Sequence, residues 1–451
     1  MIISSNFITD GISDRLILKL LERHQAKLGR YQLLDEYYRG KHAIDKRIRN
    51  NPDAPNNRVV ANYAKYITDM SVGYLLGSPV SYNAQDNADI TLVIDNYTRQ
   101  TMEQKDAEIA KGVSKFGKCY ELIYANGQAQ PASAIITPFH GFIVYDDTVE
   151  HNKLFGVHYY PHTDVDGSVK SYSITLYTDR SIRVYHTTGA FLSNLVFEEE
   201  YVHFFGDVPM IEYINNREEQ GDYEQLISLI DAYDILQSDR INDKEQFVNA
   251  FLLLVGVDVD SEDVKRLKRE KILMAPDDGR AEYLSKVMAE SDVEVLRKAV
   301  NSDIHKFSAV PDMTDEKFSG NLSGVAIRYK LLTFEQHTKN KERYFEMGLK
   351  ERFVLYNAFL NVKQNMRIMD KTDVECIFSR NLPVNELELS QMIVNLKDRV
   401  SEETLLAQLS FVKKPAEEAE RVKQQRQEAQ QAQAELFGGL GGFRDEQTSI
   451  E

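Results

Sequence analysis

The chain is poor in cysteine. Its two thiols, Cys119 and Cys376, lie far apart in unrelated sequence, so they build neither a disulfide framework nor a zinc pattern, and this usage fits a reducing compartment. Tryptophan is missing altogether, so the aromatic bulk of any core must come from the abundant tyrosine and phenylalanine. No apolar run reaches the ~18 residues that span a bilayer. Met1-Ile2-Ile3-Ser4-Ser5-Asn6 has no basic segment and no long apolar core, so it does not read as a secretory leader. Positive charge is in short supply: 54 Lys and Arg stand against 70 Asp and Glu, a net charge of -16 that repels phosphate on average. That excludes a protein that coats nucleic acid electrostatically, but not a surface that nucleic acid slides past.

What is present is organised around one stretch. Pro311 to Leu322 reads as a loop and Ser323 as an N-cap. The chain then runs to Val362 without proline and with a single glycine, Gly348. This predicts a helix of about 58 Å at ~1.5 Å per residue, far longer than the ~11–12 residues of an average globular helix. Its apolar positions, among them Leu331, Phe345, Leu349, Phe353 and Phe359, are spread around the helix rather than kept to one seam. Several neighbours therefore pack on it, and it is not a coiled coil. The length of 451 residues suggests about two to four domains.

Ahead of that stretch, residues 13–48 read as helix, Asn50–Asn57 as a break with Pro52 and Pro55, and Asn57–Met70 as an amphipathic helix stopped at Gly77-Ser78-Pro79. Residues 86–116 read as helix again. From Cys119 the apolar period changes to two. Short runs at 120–124, 135–137, 142–145, 155–160, 171–177, 182–186 and 195–203 alternate with turn pairs such as Asn126-Gly127 and Asp166-Gly167, which predicts an antiparallel meander. Asp222–Leu254 reads as a second long helix, 257–289 as a small insert, and Asp292–Ala309 as a third helix. After Val362 come a short strand at Asp373–Phe378, a helix at 386–399 and another capped by Ser401. Residues 413–435 are polar all round, a solvated helix or a disordered segment, and a flexible glycine-rich tail starts at Gly438.

Motifs that carry chemistry are few. Gly112-Val113-Ser114-Lys115-Phe116-Gly117-Lys118-Cys119 falls one residue short of a phosphate-binding loop, with cysteine where Ser or Thr would hold magnesium. Its context is reversed, because a helix precedes it and a strand follows, so it reads as a plain helix–strand turn. Asp258–Asp263 looks like a calcium loop, but Asp263 and Arg269 stand where glycine and glutamate are needed. His158 and His162 share no helix face and read as surface or satisfied residues. Asp231, Asp234 and Asp243 lack a partner cluster and read as polar surface. Lys265, Arg266, Lys268, Arg269 and Lys271 form a basic run, either a solvated helix face or a patch for an acidic partner or passing DNA. No cofactor, metal or catalytic residue is expected from these patterns.

Four stretches together resemble portal proteins of tailed bacteriophages, the head–tail connector of the siphophage type from Gram-positive hosts. They are Tyr37-Tyr38-Arg39-Gly40; Asn57-Arg58-Val59 through Asn62-Tyr63-Ala64 to Tyr74-Leu75-Leu76-Gly77-Ser78-Pro79-Val80-Ser81-Tyr82; Val208-Pro209-Met210-Ile211-Glu212 with Asn215-Asn216, Gly221-Asp222 and the helix from Leu229 to Phe247; and Gly320-Asn321-Leu322-Ser323-Gly324-Val325-Ala326. The resemblance implies an α+β portal-protein fold, mainly α, with long stem and backbone helices and an antiparallel β-rich wing. It implies assembly as a ring, usually of twelve subunits, around a central channel for double-stranded DNA at one capsid vertex.

The same resemblance implies a wing at 1–221 (β-rich at 119–203), stem helices at 222–256 and 290–311, a clip at 257–289 and a tunnel loop at 312–324. A long wing helix and strand at 325–384, a crown at 385–432 and a flexible tail at 433–451 complete it. Asp312, Asp315, Glu316, Lys317, Ser319, Gly320, Asn321, Ser323, Gly324, Arg328 and Lys330 would line the channel. The basic run Lys265, Arg266, Lys268, Arg269 and Lys271 would be the docking patch of the clip. Implied partners are the terminase large subunit, head-completion and adaptor proteins, and the major capsid and scaffold proteins, with no membrane. The implied location is the virion, after assembly in the host cytoplasm, and the implied role is structural, not enzymatic. The rival readings are a nucleotide-driven packaging motor or nuclease, and a capsid or scaffold interaction protein without a channel. DNA carries one charge per ~1.7 Å of axis, so a wall of cations would stall it. The channel is therefore expected to be mostly acidic or neutral, with few phosphate contacts from Lys317, Arg328 or Lys330, and its loop, freed by Gly320 and Gly324, to shift against the long helix.

Overall fold

The computed structural model describes residues 1–8, 11–51, 54–84, 89–248, 251–255, 280–284, 290–313, 324–364, 367–380, 386–397, 399–409, 412 and 415–440. They fall into two compact units, Met1–Asp315 with Lys330–Asn381, and Glu316–Tyr329 with Leu382–Glu451. The first unit runs α1 (Asp14–Gln25), α2 (Leu28–Tyr38), α3 (Tyr63–Leu76), β1 (Ser81–Ala84), α4 (Thr91–Arg99), α5 (Met102–Phe116), β2 (Lys118–Ala125), β3 (Pro131–Ile136), β4 (Gly141–Tyr145), β5 (Lys153–Thr163), β6 (Val169–Tyr177), β7 (Ser181–Thr187), β8 (Leu195–Val202) and β9 (Met210–Ile214). It continues with α6 (Ile227–Val248), β10 (Phe251–Val255), β11 (Arg280–Leu284), α7 (Glu290–Ser308), α8 (Gly324–Gln364, from Lys330 onward in this unit) and β12 (Val374–Ile377).

Three apolar cores organise the first unit. β4 to β8 form a five-stranded antiparallel meander, and α1 lays Ile17, Leu20 and Leu21 on it against Phe142, Phe155 and Ile174. β2 is the centre of a second sheet of order β3-β2-β9, which packs with α4, α5, β12 and the second half of α8. The third core joins α2, α3, α6 and α7 through Tyr31, Leu34, Ile67, Ile230 and Ile304. Gly117 ends α5 in the left-handed region (φ +82), and a side chain there would run into the backbone of Glu219, so this turn requires glycine. The second unit holds α9 (Glu386–Leu396), α10 (Glu402–Leu406) and α11 (Pro415–Leu440). Ser401 caps α10, its Oγ accepting from the Thr404 amide at 3.3 Å, and Arg426 of α11 pairs with Glu402 at 2.7 Å.

The long helix expected from Ser323 to Val362 is present as α8. Other expectations change. The helix read across 13–48 is α1, α2 and a 3-10 turn at Ala43–Lys46, and the one read from Asn57 starts at Tyr63, where Asn62 accepts from the Lys65 amide. The helix read across 86–116 breaks at Gln100-Thr101, with Thr101 at φ 50. The single meander is two sheets: β2 and β3 are joined by β9 in one, and β4 to β8 make the other. The helix read as Asp222–Leu254 begins at Ile227 and ends at Val248. The apolar run Phe251–Val255 is instead a strand paired antiparallel with Arg280–Leu284, where its backbone groups find partners. The polar stretch after Lys413 is helical, and that helix includes Gly438 and Gly439.

Candidate functional site

α6 carries a polar face. Asp231, Asp234, Ser238, Asn242 and Glu245 recur three or four residues apart, which stacks them on one side of the helix. The segment leading into α3 runs along that face. Tyr37 donates its hydroxyl to Asp231 at 2.7 Å, His42 Nδ1 sits 2.6 Å from Asp234, and the Ala61 amide donates to the other oxygen of Asp234 at 2.7 Å. The Val59 amide donates to Ser238 Oγ (2.9 Å), the Asn57 amide to Asn242 (2.7 Å), and Arg47 and Arg49 converge on Asp239. Burial opposes charge on His42, yet the bond to Asp234 outweighs it and holds the imidazole pKa above its ordinary value. Asp234 is thus a buried counter-ion, and Asp231 an acceptor, where the sequence suggested polar surface; Asp243 is exposed as expected.

α7 packs on the adjacent side of α6. Arg297 forks onto Glu294 at 2.6 and 2.8 Å and donates to Tyr233 at 3.0 Å, while Arg240 reaches Glu294 at 3.3 Å. The bond to Arg297 is the chief reason that Glu294 titrates well below the ordinary carboxyl range. Past the end of α7, the chain is tied down before it leaves the described residues. Asn301 Nδ2 donates to Asp312 at 3.2 Å, His305 Nε2 lies 3.7 Å from the same carboxylate, and Tyr66 donates to the Pro311 carbonyl at 3.3 Å.

α8 is fixed to the rest of its unit by charge as well as by its apolar positions. Arg352 is fully buried and bonds Glu121 of β2 at 2.8 Å and Asp106 of α5. Tyr213 of β9 donates to the same Glu121 at 2.7 Å. Lys341 pairs with Asp222, which also accepts from Ser114 at 2.6 Å. Arg380, just past β12, reaches Glu335 and Glu342 on α8.

Of the residues expected to line a channel, Asp312 is tethered to Asn301 of α7, Gly324 opens α8, Arg328 is exposed and Lys330 is half-buried. Asp315, Glu316, Lys317, Ser319, Gly320, Asn321 and Ser323 lie outside the described residues, as do Lys265, Arg266, Lys268, Arg269, Lys271 and the loop Asp258–Asp263. The strands Phe251–Val255 and Arg280–Leu284 bracket that basic run. The near-phosphate loop is a helix–strand turn: Gly112 lies inside α5 against Cys119 Sγ, and Gly117 closes the C-terminal end of that helix. Amides able to hold phosphate sit at a helix N-terminus, which this turn does not offer. Sequence reasoning missed the partners of α6, because they come from distant segments, and those of Asp312, because a single side-chain tether back onto α7 leaves no periodic signal.

The family model described as "Phage portal protein, SPP1 Gp6-like" matches residues 17–432. Curated relatives include the portal protein of Bacillus phage SPP1, 23% identical over 458 aligned positions that cover 95% of this chain and 90% of the relative. The portal protein of Clostridium phage phiCD119 is 22% identical over 379 positions, covering 78% and 82%. Among solved structures, one described as "Neck of empty GTA particle computed with C6 symmetry" is similar with a TM-score of 0.44 and 10% identity, over 76% of this chain and 89% of that one. No helix among the described residues is long and apolar enough to cross a membrane.

Proposed function

This chain belongs to the SPP1 Gp6-like family of phage portal proteins, and from that membership we propose that α6 and α7 line the wall of a DNA channel, with residues 312–324 as its inner loop. Portal proteins are structural components of the virion and serve as the passage for DNA at packaging and ejection. The observation that carries this reading is the order of parts inside the family match: a polar-faced helix, a strand pair, a second helix braced on the first, a tethered Asp312 after it and a 41-residue helix.

In this reading the subunits close into a ring of twelve. α6 and α7 are the stem, and the β10–β11 hairpin with the residues between its strands is the clip. Residues 1–221 and α8 with β12 make the wing, and residues 385–432 the crown. The clip, through Lys265, Arg266, Lys268, Arg269 and Lys271, docks the terminase large subunit and later the head-completion and adaptor proteins, while capsid and scaffold proteins meet the wing. Assembly takes place in the host cytoplasm. The chain itself performs no catalysis, and the terminase supplies the work. An acidic chain offers sliding duplex few stable phosphate contacts, leaving Lys317, Arg328 and Lys330 as the cations nearest its path.

Electron microscopy of the purified full-length chain tests the reading. Rings with a central hole are expected, and compact particles without one would refute it. Binding measurements add a second arm: nanomolar affinity for duplex DNA at physiological salt would contradict a channel that lets DNA pass. A disulfide that pins the 312–324 loop to α8 is expected to slow packaging, and packaging at the unmodified rate would remove the loop from the mechanism.

A further inference from the structure

The five-stranded sheet ends in two unlike edges. At the β4 edge, the Ile3 amide donates to the Tyr145 carbonyl at 3.0 Å and the Tyr145 amide to the Met1 carbonyl at 2.7 Å, so this edge is closed from within the chain. Beside it opens a cleft of about 470 Å³ whose wall carries Arg23, Lys27 and Lys118 against Glu219. Lys118 is committed inside the subunit, to Glu219 at 2.7 Å and Glu212 at 3.4 Å. Arg23 and Lys27 are exposed, and no ion pair among the described residues engages them. Burial, and then the charge of Lys118, hold the Lys27 ammonium pKa below its ordinary value, although Glu219 pulls it the other way. In a chain with a net charge of -16, this is a locally positive hollow.

The opposite edge is β8, which among the described residues pairs only with β7. From Val196 to Val202 every residue is exposed, including Val196, Phe197, Tyr201 and Val202, the last at 66%. Between them run Glu198, Glu199 and Glu200. Glu198 pairs with His186 and Glu200 with Arg183, while no ion pair among the described residues engages Glu199. Charges on an edge strand are a common guard against edge-to-edge pairing. That explains the glutamates, but not the large apolar side chains left open beside them, which mark a surface that is covered in an assembly.

We propose that the two edges meet between neighbouring subunits: the acidic, apolar β8 edge of one copy seats in the cationic cleft at the β4 edge of the next. The inference rests on the ring reading above and gives it a contact. A ring joins each subunit head to tail, so it needs two different and complementary surfaces on one chain. Here they are complementary in charge and lie at opposite ends of one sheet. Four strand spacings, about 19 Å, separate β4 from β8, so a copy cannot satisfy the contact with itself.

Charge reversal tests the pairing in the full-length chain. Glu199→Lys, and separately Arg23→Glu with Lys27→Glu, are expected to lower the ring fraction at limiting protein concentration, by about two- to fivefold in affinity for each exposed pair lost. Combining the reversals is expected to restore rings. A second readout introduces one thiol at each surface, Lys27→Cys with Glu199→Cys, in a chain whose own two cysteines are buried. A disulfide needs Cα atoms within ~4.4–6.8 Å, so oxidation is expected to give a ladder of covalent oligomers and no intramolecular bridge. Rings from the unmodified chain with rings at the same fraction from both reversals, or losses that the combined reversal does not restore, or no covalent ladder from a ring-forming sample, would each overturn the contact while leaving the ring in place. An unmodified chain that forms no rings would overturn the premise instead.

Discussion

Gly348 is the one glycine in the interior of a 41-residue helix, and replacing it by alanine sets two effects against each other. Helix propensity favours alanine by about 1 kcal/mol. Packing opposes it. A methyl group at Gly348 would overlap Cε1, Cδ1 and Cζ of Tyr213, the last at 2.8 Å. Carbon atoms in contact want ~3.5–4.0 Å, so the ring must retreat by about 1 Å. It has nowhere to go: Tyr213 is fully buried, lies against Phe345 with centroids 5.1 Å apart, and donates to Glu121 at 2.7 Å. Overpacking of this kind costs about 1–3 kcal/mol, and a buried carboxylate that loses its donor costs about 1–3 kcal/mol more. The balance is a loss of roughly 1–5 kcal/mol for Gly348→Ala, the opposite sign from propensity alone. Urea denaturation followed by circular dichroism measures it. Gly73→Ala is the internal control, since Gly73 is an exposed glycine inside α3 with nothing within 4 Å of the new methyl. There a gain of about 0.5–1 kcal/mol is expected. If Gly348→Ala is as stable as the unmodified chain while Gly73→Ala behaves as described, the packing argument fails.

Arg352→Leu leaves Asp106 and Glu121 as two buried carboxylates without a cation; a loss of about 3–5 kcal/mol in urea denaturation is expected, partly regained when Asp106→Asn and Glu121→Gln are added, and a change under about 1 kcal/mol would contradict the role given to Arg352. Burial pushes the Cys119 and Cys376 thiols up to about 12, so at pH 8 neither should react with a thiol reagent until the chain is unfolded, and fast labelling of the native protein would refute their placement. The His42 pKa is raised by folding, so the stability it contributes is complete below its ordinary value of ~6.5 and is lost as pH rises through the raised value. Hydrogen exchange at the Val59 and Ala61 amides should therefore accelerate beyond its intrinsic pH dependence above that point. His42→Gln should abolish the excess; an unchanged excess in that variant would show that another group titrates.

The parts of the fold that were legible in the sequence are those whose signal is local. α8 could be read because nothing between Ser323 and Val362 interrupts a helix. The meander could be read because β-period runs alternate with turn pairs such as Asp166-Gly167. Two of the misreadings come from strand partners outside the local stretch, and one from an unusual local backbone conformation. β9 is a short run whose partner β2 lies about 90 residues upstream. The break at Thr101 uses a threonine in the left-handed region, which local preference would not choose. Phe251–Val255 is an apolar run that fits a helix end or a strand equally well until its partner at 280–284 is known. At the candidate site, Asp312 could be recognised as the start of a loop, but its tether back to nearby Asn301 and His305 could not, because isolated side-chain pairs leave no periodic signal, and Asp234 looked like surface because its partners come from distant residues 42 and 61.

The strip of chain that lies along α6 has a consequence for synthesis. The Val59 and Ala61 amides bond to groups 179 and 173 residues further on, so while the ribosome is still making the residues ahead of α6 their acceptors do not yet exist. Contacts of such long sequence separation close late. A nascent or truncated product that stops short of α6 keeps these donors unmatched and Tyr37 and His42 without their acids, and so stays open. Incomplete chains would thereby be refused a place among finished subunits, without any outside inspector.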